Sequence, residues 1–143
     1  MRLTTFSDYA LLTLMYLAVH PNRFVTIGEI AAAYGISANH LMKVTQDLSA
    51  NGTVITLRGQ RGGLRLARAP ADIRVGDIIR RTERDLDLTR GIIRATSRGE
   101  IPRPVDAGRV LPMILDQALA AFMAVLDRYS VDDLVADRGA VPS

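Results

Sequence analysis

The sequence predicts a mainly α fold with a small β wing, a winged helix-turn-helix domain carrying a long C-terminal dimerisation helix. Three observations carry that expectation. Two short capped helices are joined by a Gly-containing turn between Thr26 and Asn51. The apolar period then changes from helical to strand-like around a tip rich in Gly and Arg. A late helix repeats large apolar residues at alternating steps of four and three. These features divide the chain into a winged helix-turn-helix domain over 1–84, an irregular loop over 85–111, and a dimerisation helix with its tail over 112–143.

The first helix is expected from Ser7 to Val19, capped by Thr5 or Ser7. Leu11, Leu12, Leu14, Met15 and Leu17 leave it almost no polar face, so it should be covered on several sides. His20-Pro21-Asn22 stops it. Thr26 with Glu29 three residues later has the spacing of a capping box, and Gly35 supplies a left-handed C-cap. Ser37 then caps a third helix that turns Leu41, Val44 and Leu48 inward and ends at Asn51-Gly52. Val54-Ile55-Thr56-Leu57 and Leu64-Arg65-Leu66 make a hairpin around Arg58-Gly59-Gln60-Arg61-Gly62-Gly63. After the break at Pro70, a fourth helix runs from Val75 to Thr82 with Ile78 and Ile79 inward. Residues from Asp85 to Arg109 hold Gly91, Gly99, Pro102, Pro104 and Gly108 with little periodicity, the mark of a long loop. A last long helix is expected from Pro112 to Tyr129, where Leu115, Leu119, Phe122, Leu126 and Tyr129 form a coiled-coil seam suited to a homodimer. Val131 to Val135 add a final turn.

Composition narrows the function classes. The chain of 143 residues is 48% hydrophobic and 23% charged, an ordinary globular balance. Its net charge is only +3, but Arg58, Arg61, Arg65, Arg68 and Arg74 stand against the single acid Asp72 in the hairpin region. A basic patch of that kind suits a polyanion. There is no Cys, which removes disulfides, zinc–thiolate sites and cysteine nucleophiles. Neither a phosphate loop followed by a helix nor a helix-spaced pair of His residues is present, so an enzyme is not expected. No apolar run reaches the roughly 20 residues of a membrane span, and no signal-peptide plan opens the sequence; the expected location is the cytoplasm.

The third helix is the candidate reading element. With Leu41, Val44 and Leu48 inward, Asn39, His40, Lys43 and Gln46 are left to other faces. Asn and Gln pair bidentately with adenine, and Lys reaches guanine or phosphate. Thr26 and Ser37 stand at helix starts, where hydroxyl and backbone N–H groups take phosphates. Arg58, Gln60 and Arg61 at the hairpin tip can enter a minor groove or clamp phosphates. The expected partner is double-stranded DNA; a small-molecule effector is compatible with the sequence but not specified by it. Taken alone, the third-helix set is better explained by a solvated polar face, and the hairpin glycines have a rival in a nucleotide-binding loop, which would need a helix where a strand follows; the alternative function is a winged helix used only for protein–protein assembly. The capped helix-turn-helix followed directly by a basic hairpin favours DNA.

The segments Leu3-Thr4-Thr5-Phe6-Ser7-Asp8-Tyr9-Ala10-Leu11, Tyr34-Gly35-Ile36-Ser37-Ala38-Asn39-His40-Leu41 and Arg58-Gly59-Gln60-Arg61-Gly62-Gly63-Leu64-Arg65-Leu66 resemble the Rrf2 family of winged-helix regulators. Asn39-His40-Leu41-Met42-Lys43-Val44, with Leu126-Asp127-Arg128-Tyr129 and Asp133-Leu134, is similar to its nitric-oxide-sensing repressor branch. The resemblance implies a homodimer with crossed long helices, a recognition helix in the major groove and a wing in the minor groove. Many members carry an iron–sulfur cluster on three Cys of the loop before the long helix, completed in that branch by an acidic residue at the position of Asp8. This loop has no thiolate, so the expectation is a regulator without cofactor or metal. Asp8 would be a ligand only if a cluster were present, and otherwise favours the positive end of the first helix.

Overall fold

The computed structural model describes residues 2–90, Arg94 and residues 109–136. Most of the expected loop, including Arg98 and Arg103, and the tail beyond Ala136 lie outside the described residues. The elements run α1 (Thr5–Ala18), α2 (Ile27–Tyr34), α3 (Ala38–Ala50), β1 (Val54–Leu57), β2 (Gly63–Leu66), a 3-10 turn (Pro70–Asp72), α4 (Val75–Thr82), α5 (Val110–Leu126) and α6 (Val131–Val135).

Helix α1 is the centre of the molecule. Ala10, Leu14 and Leu17 are buried with Ile30 of α2, Leu41, Val44 and Leu48 of α3, and Leu64 of β2. The helix begins two residues before the expected start, and its cap is Thr4, not Thr5 or Ser7. Thr4 has extended backbone angles, and its hydroxyl accepts the Ser7 N–H at 3.3 Å. Ser7 is instead wholly buried. Its hydroxyl donates to Glu83 at 2.6 Å and shares a 2.6 Å hydrogen bond with Thr82 Oγ1. Glu83 also accepts from the Thr4 N–H at 2.6 Å and from Thr4 Oγ1 at 3.1 Å. A carboxylate from the end of α4 thus sits on the start of α1, where the orphan N–H groups and the helix dipole favour negative charge.

The other elements attach to this centre. Strands β1 and β2 pair antiparallel in the register Val54–Leu66 to Leu57–Gly63. Val25 adds a one-residue bridge to Leu64, with N–H···O bonds of 2.8 and 2.7 Å in the two directions. Helix α4 is divided between two clusters, giving Ile78 to the main core and Val75 and Ile79 to a smaller one with Met123 of α5. Helix α5 starts at Val110, before the expected Pro112, and stops at Leu126 instead of Tyr129. The cause of the early stop is pairing of the following residues. The Val75 N–H bonds to the Tyr129 carbonyl and the Val131 N–H to the Ile73 carbonyl, both at 2.9 Å, which draws Ser130 between them out extended, bridged to Arg74. Ser130 and Asp133 then form a reciprocal capping box for α6, and Val131 is fully buried in the main core. The expected last turn therefore belongs to the same core as residues 1–84.

Arg80 of α4 binds Asp127 bidentately at 2.7 and 2.6 Å, closing α4 on the end of α5. Gly76 lies under this pair: a Cβ there would come within 1.9 Å of Asp127 Oδ1.

The Glu83 contact makes a testable claim about stability. Burial pushes the Glu83 carboxyl up, but the bonds from Ser7 and from the Thr4 backbone and hydroxyl outweigh burial and hold it below its ordinary value. A carboxyl depressed in the folded state stabilises fully above its unfolded value, about pH 4.3, and that contribution is lost as pH falls through the lower folded value. Glu83→Gln should cost about 1–3 kcal/mol at neutral pH, because buried donors lose their charged acceptor. The gap to the wild type should close in urea titrations below about pH 4. A gap that does not depend on pH would show that charge at this position is immaterial.

Candidate nucleic-acid interface

The helix-turn-helix forms because both helix starts are capped by short hydroxyl side chains and the turn residue tolerates a left-handed backbone. Thr26 Oγ1 accepts the Glu29 N–H at 3.1 Å, Ser37 Oγ accepts the His40 N–H at 3.3 Å, and Gly35 sits at φ 66°. Only half of the expected capping box is made. The Glu29 carboxylate turns away from Thr26 and takes Arg23 bidentately at 2.8 and 2.6 Å and the Tyr16 hydroxyl at 2.6 Å. The Arg23 bonds first and the Tyr16 bond second hold its carboxyl down at about 2. The Tyr16 ring is stacked on His20 and meets Tyr34 edge-on, so the end of α1, the intervening turn and α2 are joined as one unit. Sequence reading missed this cluster; a Tyr, an Arg and a Glu spaced 7 and 6 apart carry no local periodicity.

Helix α3 packs across α1 and beside β1. Its inward side is as expected, with Leu41, Val44 and Leu48 at 1% exposure or less. Asn39, Lys43 and Gln46 are exposed together on the opposite side. Met42, which sequence reading left off the list of contacting residues, is 48% exposed on that same side. His40 differs from its neighbours: it is half-buried, and its ring lies edge-on to Tyr9 of α1 with centroids 4.9 Å apart. Thr26 and Ser37 are both exposed, and each hydroxyl that accepts a helix N–H still has an O–H to donate.

The wing tip is short and held at its base. Gly63 has φ 151°, and a Cβ there would lie 2.6 Å from the Val25 carbonyl oxygen, so the Val25–Leu64 bridge requires a glycine at this position. A Cβ on Gly62 would come within 2.1 Å of the Leu57 carbonyl oxygen. Beyond this base Arg58, Gln60 and Arg61 are all exposed, and Arg65 projects from the outer face of β2. Helix α3 and the wing thus emerge from one core, each presenting cations and amides to solvent. That arrangement can engage phosphates on either side of a groove while a helix reads its floor.

Asp8 lies exposed in the first turn of α1. Among the described residues no group of three His, Cys, Asp or Glu side chains is placed to hold a metal ion, and the whole chain has no cysteine. The donor set does not fit an iron–sulfur cluster, which is held mainly by thiolates. Of the loop arginines, Arg90 lies 3.8 Å from Asp85 and 3.9 Å from Asp87, and Arg109 precedes α5 without a side-chain capping bond.

The face of α5 is divided. Leu119, Phe122 and Leu126 of the expected seam pack against Val75, Ile79 and Met123 of the same chain, and Leu115 is half-buried. On the other side Val110, Met113, Ile114, Gln117, Ala121 and Val125 are exposed. No helix among the described residues is long and apolar enough to cross a membrane.

Comparison with known proteins places this architecture. The model of the Rrf2 family, described as iron-dependent transcriptional regulators, matches residues 3–137. The HTH-type transcriptional regulator NsrR of Bacillus subtilis (strain 168) is 40% identical over 139 residues, covering 96% of this chain and 92% of that protein. NsrR of Shouchella clausii is 40% identical over 136 residues, covering 94% and 89% respectively. Among solved structures, T. potens IscR superposes with a TM-score of 0.75 at 26% identity, covering all of this chain and 93% of that one. CymR, the global cysteine regulator of B. subtilis, gives 0.70 at 25% identity, with 94% and 96% covered.

Proposed function

This chain belongs to the Rrf2 family of transcriptional regulators, and on that footing we propose that it is a cytoplasmic, homodimeric repressor that reads a near-palindromic DNA site without an iron–sulfur cluster. It is a DNA-binding winged-helix regulator and not an enzyme. The observation that carries the finer reading is the joint exposure of Asn39, Lys43 and Gln46 on α3 with Arg58, Gln60 and Arg61 at the wing tip. Asn39, Lys43 and Gln46 face the bases of the major groove, Thr26 and Ser37 take flanking phosphates, and the wing reaches the adjacent minor groove. His40 acts from the edge of this surface, with its ring seated on Tyr9.

The second copy is assigned to α5. Because Leu119, Phe122 and Leu126 already cover α4 within the chain, the partner helix is placed on the opposite stripe of Val110, Ile114, Gln117, Ala121 and Val125. That stripe steps by 4, 3, 4 and 4, and its alanine lets two helices approach closely. Leu115 of the expected seam lies on the same face as Leu119, Phe122 and Leu126, and Tyr129 lies beyond the end of α5.

Three experiments test these readings. Asn39→Ala or Lys43→Ala should weaken binding to a duplex selected from a random pool by about 1–3 kcal/mol. Arg61→Ala should weaken it less selectively and flatten the dependence on salt. Competitive gel-shift titrations decide this, and wild-type affinity in all three variants would remove α3 and the wing from the interface.

For assembly, Ala121→Glu should give helical monomers by sedimentation velocity, whereas Phe122→Asp should lose the folded circular-dichroism signal before any question of assembly arises. An intact dimer in Ala121→Glu would place the interface elsewhere.

The protein purified without oxygen should be colourless and free of stoichiometric iron and sulfide, and nitric oxide should leave its DNA binding unchanged. A visible charge-transfer band whose loss under nitric oxide abolishes binding would reverse this, and Asp8 would then be the first ligand to examine.

A further inference from the structure

The helix assigned above to the major groove carries one side chain that its polar neighbours do not explain. Every other large apolar residue of α3 is withdrawn from water, with Leu41, Val44 and Leu48 at 1% exposure or less, yet Met42 is 48% exposed. At 100° per residue, Met42 falls on the same arc as Asn39, Lys43 and Gln46, so it belongs to the reading face and not to the edge of the core. The buried residues of α3, Leu41, Val44, Thr45 and Leu48, lie on the other side of the helix.

We propose that Met42 is a specificity-determining residue that packs on the 5-methyl group of a thymine in the major groove. The proposal rests on the DNA-reading assignment of α3. Major-groove edges offer hydrogen-bonding groups at every base but an apolar group only at thymine, through its C5-methyl. Asn39, Lys43 and Gln46 can recognise adenine, guanine and phosphate by hydrogen bonds; none of them gains from a methyl group. Met42 does. Its thioether chain is unbranched and has three rotatable bonds, so it can follow the groove floor beside the polar contacts. The chemistry also discriminates: cytosine at the same position presents an N4 amino donor that a thioether satisfies poorly, so the site should prefer thymine to cytosine there.

The test uses the full-length protein and a duplex that it selects from a random-sequence pool. Each thymine of one half-site is replaced singly by deoxyuridine, which lacks only the 5-methyl group, and the Kd is measured for the wild type and for Met42→Ala. Alanine is a good helix former, and the position is exposed, so the variant keeps its fold. At one thymine the wild type should lose about four-fold in affinity on removal of the methyl, the worth of one buried methyl-sized group. Met42→Ala should bind the thymine and uracil duplexes equally. Equal thymine-to-uracil ratios in the two proteins at every position would overturn the proposal, as would a Met42→Ala effect confined to the monomer–dimer equilibrium. A pool from which no sequence is enriched would instead overturn the DNA-reading assignment itself, so the two failures are told apart.

Discussion

The structure depends first on how the start of α1 is satisfied. A central helix packed on α3, α4, β2 and α6 buries Ser7 in its first turn, and a buried hydroxyl without a partner is costly. Glu83 meets that demand from far along the chain by taking the Thr4 N–H and the Thr4 and Ser7 hydroxyls together. The same contact fixes where α4 ends relative to α1. Since Ile78 enters the main core while Val75 and Ile79 enter the cluster with Met123, it also sets the position of α5. One carboxylate thereby links the reading half of the chain to the helix assigned to the dimer.

From that centre, two further contacts orient the parts proposed to meet DNA. The Glu29 carboxylate, shared between Arg23 and Tyr16, ties α2 to the end of α1, and the Val25–Leu64 bridge ties the base of the wing to the turn before α2. A wing hinged only by its two-stranded pairing would be marginal, because an isolated hairpin has little stability of its own. The bridge makes β2 a central strand and leaves only the tip from Arg58 to Gly62 outside the ladder. Cations at that tip are thus carried on a base that does not need to be ordered on binding, which lowers the entropic cost of association.

Helix α5 shows why a heptad pattern does not by itself identify a partner. An apolar stripe at 4-3-4-3 spacing describes any helix seam, whether the opposing surface belongs to the same chain or to another. Here Leu119, Phe122 and Leu126 are used against α4. The exposed stripe on the other side mixes Val and Ile with Ala and Gln, and its pattern is weaker because its residues are smaller. The loop tells the opposite story. Membership of a family described as iron-dependent coexists with a chain that has no thiolate, so the shared architecture does not require the donor chemistry of a cluster.

What the sequence determined by itself was local. Thr26, Gly35 and Ser37 specify where α2 and α3 begin and end, Leu41, Val44 and Leu48 choose the inner face of α3, and the switch to alternating residues around Gly59 and Gly62 announces the wing; capping, periodicity and turn geometry act within a few residues and are written in their spacing. The bounds of α4 were legible for the same reason. The tertiary structure alone decided which Thr caps α1, that Glu83 and not a residue of α1 provides its acceptor, that Glu29 leaves the capping box for Arg23 and Tyr16, that α5 ends early to pair Tyr129 and Val131, and that His40 is drawn towards Tyr9 while Met42 is left in water. Each of these is a competition between partners distant in sequence, settled by which groups burial brings within hydrogen-bonding or van der Waals reach.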